Sequence, residues 1–161
     1  AKAGPLIFKN NFYLERGPYV MIAVMDESIN TEPFTITGLF LDLFDPELPV
    51  LTEKTVSPGD QAFLFNIEHI KNTTKPQILA SASRSYDEII AGKSYSFVAK
   101  SPLNTTNVTR VLLPSRLKSA VFTDFAGNPI PEATWAWDDK SQTCLLKFEN
   151  NPDGVKVLLE W

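Results

Sequence analysis

The amino-acid sequence predicts an all-β protein: an antiparallel β-sandwich, immunoglobulin-like or jelly-roll-like, with few short helical turns. Apolar or alternating runs of strand length recur along the whole chain, bounded by Gly, Pro, Asn or Asp. Proline (12) outnumbers glycine (7) and phenylalanine (11) leads the aromatics, a mixture suited to strands, edges and turns. No segment combines the length of a core helix with a 3.6-residue apolar period. A closed barrel is the alternative architecture. Parallel α/β folds are disfavoured, because no long crossover segment exists to join parallel strands.

Short apolar runs at Leu6–Phe8 and Phe12–Leu14 flank Asn10-Asn11. Tyr19–Met25 is continuously apolar, the pattern of a central strand covered on both faces. Leu39–Phe44 is interrupted only by Asp42. Ser57-Pro58-Gly59-Asp60 has Pro at the second turn position and Gly at the third, where a type II turn needs positive φ, and so predicts a hairpin joining Val50–Val56 to Gln61–Ile67. Pro76–Ser85 and Ser94–Lys100 alternate, and Asn107–Leu113 is closed by Pro114. Ala120–Phe125, Thr134–Trp137, Thr143–Phe148 and Val155–Trp161 follow with turn residues between each pair, which predicts a meander. One or two helical turns are expected at Asn66–Asn72 and Tyr86–Ala91. At 161 residues the chain is expected to form a single β-sandwich domain, 1–161, although the polar stretch Ser101–Arg110 offers a bridge between two halves.

The formal charge of −4 argues against a phosphate-backbone partner, so no nucleic acid is expected. No apolar run reaches the ~20 residues of a membrane span. The single cysteine, Cys144, excludes an internal disulfide framework, and the single histidine, His69, excludes a site built on several imidazoles. Cys144 lies in an apolar, strand-like run and reads as an inert core thiol; His69 reads as a surface residue near a strand end. Walker, dinucleotide-binding and nucleophile-elbow motifs are absent. No catalytic residue, metal site or cofactor is expected. Asp26-Glu27, the group Asp42, Asp45 and Glu47, and Asp138-Asp139 are the residual candidates for a carboxylate-dependent glycoside hydrolase or a calcium ion. Asp138-Asp139 and Asp45-Pro46 fit turns, whereas Asp42 stands mid-strand and invites an arginine such as Arg16, Arg84 or Arg110. Trp135 and Trp137 are two apart, so they share one face of a strand. Exposed, they form a platform on which a sugar ring stacks; buried, they are core. Trp161 alternates with Val155, Val157 and Leu159 and reads as core. Asn72-Thr73-Thr74, Asn104-Thr105-Thr106 and Asn107-Val108-Thr109 match the glycosylation sequon, which matters only in a eukaryotic secretory setting.

Several segments carry a resemblance. They are Arg16-Gly17-Pro18-Tyr19, Asp26-Glu27-Ser28, the run Gly38 to Asp45, Leu79 to Arg84 with Tyr86-Asp87-Glu88, and Lys147 to Asn150 before Pro152-Asp153-Gly154-Val155. Together they resemble C-terminal β-sandwich modules of large secreted proteins of gut bacteria that handle polysaccharides. The final strands also resemble accessory sandwiches that follow catalytic barrels in glycoside hydrolases. The resemblance implies a non-catalytic accessory or carbohydrate-binding module, secreted or at the cell surface, with a catalytic domain of the same parent chain or a polysaccharide as partner. A structural or adhesive immunoglobulin-like module is the second reading, and a small hydrolase the third. Exposed aromatics with polar neighbours favour the first, a smooth polar surface with a long open edge strand the second, and two close carboxylates in a cleft the third.

Overall fold

The computed structural model describes residues 8–70 and 74–161. The chain is all-β and antiparallel: thirteen strands form three sheets, and one 3-10 turn is the only helical element among the described residues. The strands are β1 (Asn11–Arg16), β2 (Tyr19–Val24), β3 (Phe34–Asp42), β4 (Val50–Val56), β5 (Gln61–Asn66), β6 (Gln77–Ser81), β7 (Arg84–Ala91), β8 (Ser94–Lys100), β9 (Thr106–Leu112), β10 (Ser119–Thr123), β11 (Thr134–Asp138), β12 (Thr143–Glu149) and β13 (Val155–Glu160). Two compact units divide the chain, the first within 1–45 and 49–71, the second within 46–48 and 72–161. The division therefore falls well before the polar stretch Ser101–Arg110.

The first unit is a five-stranded sheet in the order β1-β2-β5-β3-β4. β2 alternates, with Val20, Ile22 and Val24 buried while Tyr19 stays exposed. Both-face coverage of Tyr19–Met25 is therefore not what the fold delivers: β2 is central in hydrogen bonding but has one closed face. β3 starts at Phe34, five residues before the apolar run, and its pairing with β4 slips between Thr37 and Phe40. Gly38 lies at that bulge with φ +155°, and a Cβ there would approach the Phe40 ring to 2.7 Å. The bulge bends β3, and Phe34 meets Tyr13 of β1, the far edge strand, at 5.7 Å between ring centres. The sheet thus curls over a core of Val20, Ile22, Val24, Phe40, Val56, Ala62 and Leu64.

The turn at Ser57–Asp60 forms as expected, with Asp60 N–H donating to the Ser57 carbonyl and Gly59 at φ +86°. Its flanking strands do not pair with each other. Gly59 N–H donates to the Val24 carbonyl and Val24 N–H to the Asp60 carbonyl, so the turn delivers β5 to β2, and β4 pairs with β3 instead.

The second unit is a sandwich of two four-stranded sheets, β10-β13-β8-β7 and β11-β12-β9-β6. Tyr95, Phe97, Phe122, Val155, Val157 and Leu159 of one sheet meet Val111, Cys144, Leu146 and Phe148 of the other in a single core, closed by Trp161. The last four strands are not a meander. β11 pairs with β12 but β10 pairs with β13, so the chain crosses between layers twice. Pro76–Ser85 likewise splits at Ala82-Ser83, leaving β6 in one sheet and β7 in the other. The helical turn expected at Tyr86–Ala91 is strand β7, because its register against β8 satisfies its backbone. The turn expected near Asn66 is the 3-10 segment Ile67–His69, capped by the Asn66 side chain; the end of that expected segment, like most of Leu6–Phe8, lies outside the described residues. Pro46–Leu48 belongs to this second unit. Arg110 Nη2 donates to the Leu48 carbonyl at 2.7 Å, and Lys147 is ion-paired with Glu47.

Candidate functional site

The sandwich unit carries a polar cleft of about 500 Å³ at the rim of β11-β12-β9-β6. Register creates it. β11 pairs with β12 only as far as Thr134↔Lys147, whereas β12 runs on to Glu149 beside β9. Phe148 and Glu149 are left between two loops, Asn104–Thr106 on one side and Pro131-Glu132 on the other. Asn104, Thr106, Glu132 and Glu149 line the cleft with polar groups beside Pro131 and Phe148; the Lys147 ammonium is ion-paired with Glu47, and the Thr105 hydroxyl is engaged by Pro102 and Asn150. Such a lining offers hydrogen-bonding groups to a polar ligand and, through Pro131 and Phe148, apolar surface as well.

Both loops are held in demanding conformations. Asn104 has φ +59° and Glu132 φ +54°, the left-handed region that a glutamate rarely adopts. Thr105 is fixed three ways: its hydroxyl donates to the Pro102 carbonyl at 2.6 Å, its carbonyl accepts from Asn150 N–H, and its Oγ1 accepts from Asn150 Nδ2 at 2.9 Å. Asn150 is buried, and its Oδ1 has no partner among the described residues.

The two tryptophans share a face, as their spacing requires. Trp135 pairs with Leu146 and Trp137 with Cys144, so both lie on the core side of the edge strand β11. Trp137 is half-buried against the core and donates Nε1–H to Asp139 at 2.7 Å, while Trp135 is 40% exposed. One accessible indole therefore stands on β11, the strand whose preceding loop supplies Glu132 to the cleft.

The other chemistry-bearing residues have structural partners. Asp42 is buried and salt-bridged to Lys54 at 2.6 Å, not to an arginine; it also accepts Phe44 N–H. Asp138 accepts the N–H groups of Lys140 and Ser141, and Asp26 accepts that of Glu27. Burial pushes the Cys144 thiol up to about 12, and Arg110 opposes this only in part. His69 is exposed in the 3-10 turn of the first unit. Asn107 is fully buried and donates to Ser83 at 2.7 Å, which removes its sequon from any surface role; Asn72 and Thr73 lie outside the described residues.

Among the described residues no three His, Cys, Asp or Glu side chains are grouped to hold a metal ion, and no helix is long and apolar enough to cross a membrane. Two further concavities are apolar. One of about 300 Å³ in the first unit is lined by Phe12, Met21, Phe44 and Phe63. The other, about 500 Å³, lies on the outer face of β10-β13-β8-β7.

No protein-family model, curated protein or solved structure matches the chain. The cleft residues are not marked in the sequence as a group. Their only signals are the polar stretch through Asn104–Thr106 and the Pro-bounded loop before Thr134.

Proposed function

We propose that the chain is a non-catalytic, carbohydrate-binding accessory module of a larger secreted or surface-exposed glycan-processing protein. The observation that carries the reading is the polar cleft at Asn104–Thr106, Glu132 and Glu149. Amide, hydroxyl and carboxylate groups are what neighbouring hydroxyls of a sugar ring demand, since each hydroxyl both donates and accepts. Trp135, three residues after Glu132, is 40% exposed and offers an indole on which a further sugar of the same glycan stacks. The segments that resemble gut-bacterial polysaccharide modules support the same reading, as do the exposed aromatics Phe12, Tyr19, Phe44 and Trp135.

Three observations support a non-catalytic module. The Cys144 thiol is protonated in the core, Asp42 is neutralised by Lys54, and Asp138 and Asp139 are occupied by turn and indole hydrogen bonds. A shallow site with one stacking aromatic gives weak binding, about millimolar to tens of micromolar.

Affinity electrophoresis through gels containing soluble polysaccharides tests the proposal. The expected result is retardation by at least one polysaccharide, reduced by Trp135→Ala and by Glu149→Gln. Unretarded migration in every gel contradicts binding. Turnover of aryl glycosides that is lost in Glu132→Gln or Glu149→Gln contradicts the non-catalytic assignment.

A further inference from the structure

The outer face of β10-β13-β8-β7 is independent of the cleft and has its own pattern. Register lays its side chains in rows across the sheet. Tyr86, Val98, Lys156 and Thr123 form one row, and Ile89, Ser96, Leu158 and Val121 the next. A third row carries Glu160 between Ser94 and Ser119, and Arg84 with Lys100 lies beyond the first. These two rows expose apolar side chains among Lys156, Thr123 and Ser96: Ile89 is 60% exposed, Val121 49%, and Phe125, which flanks them, 53%, while Val98 beneath is buried. Gly154 permits this surface, because a Cβ there would approach Phe125 to 2.9 Å and Val98 to 2.8 Å.

Charge is divided across the face: cations gather at one end, Glu160 stands at the other, and Asp87 at the β7 bulge adds a carboxylate to the concavity. On β13, Lys156 and Glu160 stand two residues either side of Leu158. Arg84, Lys100 and Lys156 at one end are in no salt bridge among the described residues; Lys100 and Lys156 lie over the rings of Tyr86 and Phe125. Glu160 at the other end accepts only from Ser119. Edge-to-edge pairing is blocked on the β7 side, where the register slips between Tyr86 and Ile89 and Asp87 takes φ +53°. On the β7 side the face, not the edge, is what remains available.

We propose that this face docks a second copy of the chain. A twofold axis lying between the two faces and running across the strands stacks Leu158 on Leu158. The same axis lays the cationic end of each face over Glu160 of the other, so that Lys156 meets Glu160 twice. An isologous contact requires such self-complementarity. Four strands at ~4.8 Å and three rows at ~6.8 Å span about 400 Å² per copy, below the ~800 Å² per partner of a standard interface. The dimer is therefore weak, with Kd of about tens to hundreds of micromolar.

Sedimentation velocity of the 161-residue chain from about 5 µM to about 1 mM tests this. The expected result is a concentration-dependent shift from monomer to dimer, abolished by Val121→Lys. Lys156→Glu alone weakens association about tenfold, and Lys156→Glu combined with Glu160→Lys restores it to within about threefold. Circular dichroism verifies that each variant is folded, and Ile89→Lys replaces Val121→Lys if that variant is not. A chain that stays monomeric at about 1 mM overturns the proposal, as does a dimer indifferent to the apolar-to-lysine change or a double charge swap that fails to recover. Monomers throughout would leave the face to another domain of the parent protein.

Discussion

Arg110 is a buried guanidinium with no carboxylate at salt-bridge distance among the described residues. Burial lowers its pKa, and the charge of Asp138 opposes that shift. Its hydrogen bonds go to the Leu48 carbonyl at 2.7 Å and the Thr143 hydroxyl at 3.4 Å, and Nε has no partner among the described residues. What this poorly compensated cation holds is the segment Pro46–Leu48. Arg110→Ala leaves the Leu48 carbonyl without its charged donor and opens a cavity, so it should cost about 2–4 kcal/mol by urea denaturation. A loss below about 0.5 kcal/mol would show that the segment is held by other contacts. None of this is legible from the sequence, where Arg110 is one of three arginines offered to Asp42. The acid is instead paired with Lys54 of β4, whose ladder partner is Ile36, so neither residue type nor strand register announces the pair.

At the scale of elements, β2 organises the first unit. Ile22 is 2% exposed and lies in the core with Val20 and Val24. Ile22→Ala should cost about 2–5 kcal/mol in equilibrium denaturation; a surface-scale loss, under about 0.5 kcal/mol, would mean β2 is not central to that core. The turn after β10 makes a pH-dependent contribution. Asp124 accepts Asn128 N–H and Nδ2–H, each at 2.8 Å, and these bonds hold its carboxyl below the usual range. A depressed folded-state pKa stabilises above the unfolded value of about 4, and that contribution is lost as pH falls through the folded value. Asp124→Asn should therefore lower the melting temperature at pH 7, and the gap from the parent should be smaller at about pH 2. A gap of equal size at both pH values would rule this origin out. Strand positions were largely legible because apolar alternation and turn residues are local. Pairing was not, because it depends on distant partners. The Ser57–Asp60 turn has its sequence-specified geometry yet joins β5 to β2, and Tyr86–Ala91 becomes a strand only through its ladder with β8.

Across the whole chain, the all-β antiparallel architecture follows from composition and period, and the sandwich of the second unit realises it. The candidate site is less legible. Spacing places Trp135 and Trp137 on one face, but only the edge position of β11 decides that one indole is exposed and the other half-buried. The cleft is invisible in one dimension, since Asn104, Glu132 and Glu149 converge only where β12 outruns β11. Chemical-shift mapping of the 15N-labelled chain, titrated with an oligosaccharide of the polysaccharide that retards it most, tests the binding assignment most directly. The largest shifts should fall on Asn104, Thr105, Thr106, Glu132 and Glu149, with the Trp135 indole N–H following. Shifts confined to other surfaces, or none at about 10 mM ligand, would contradict it.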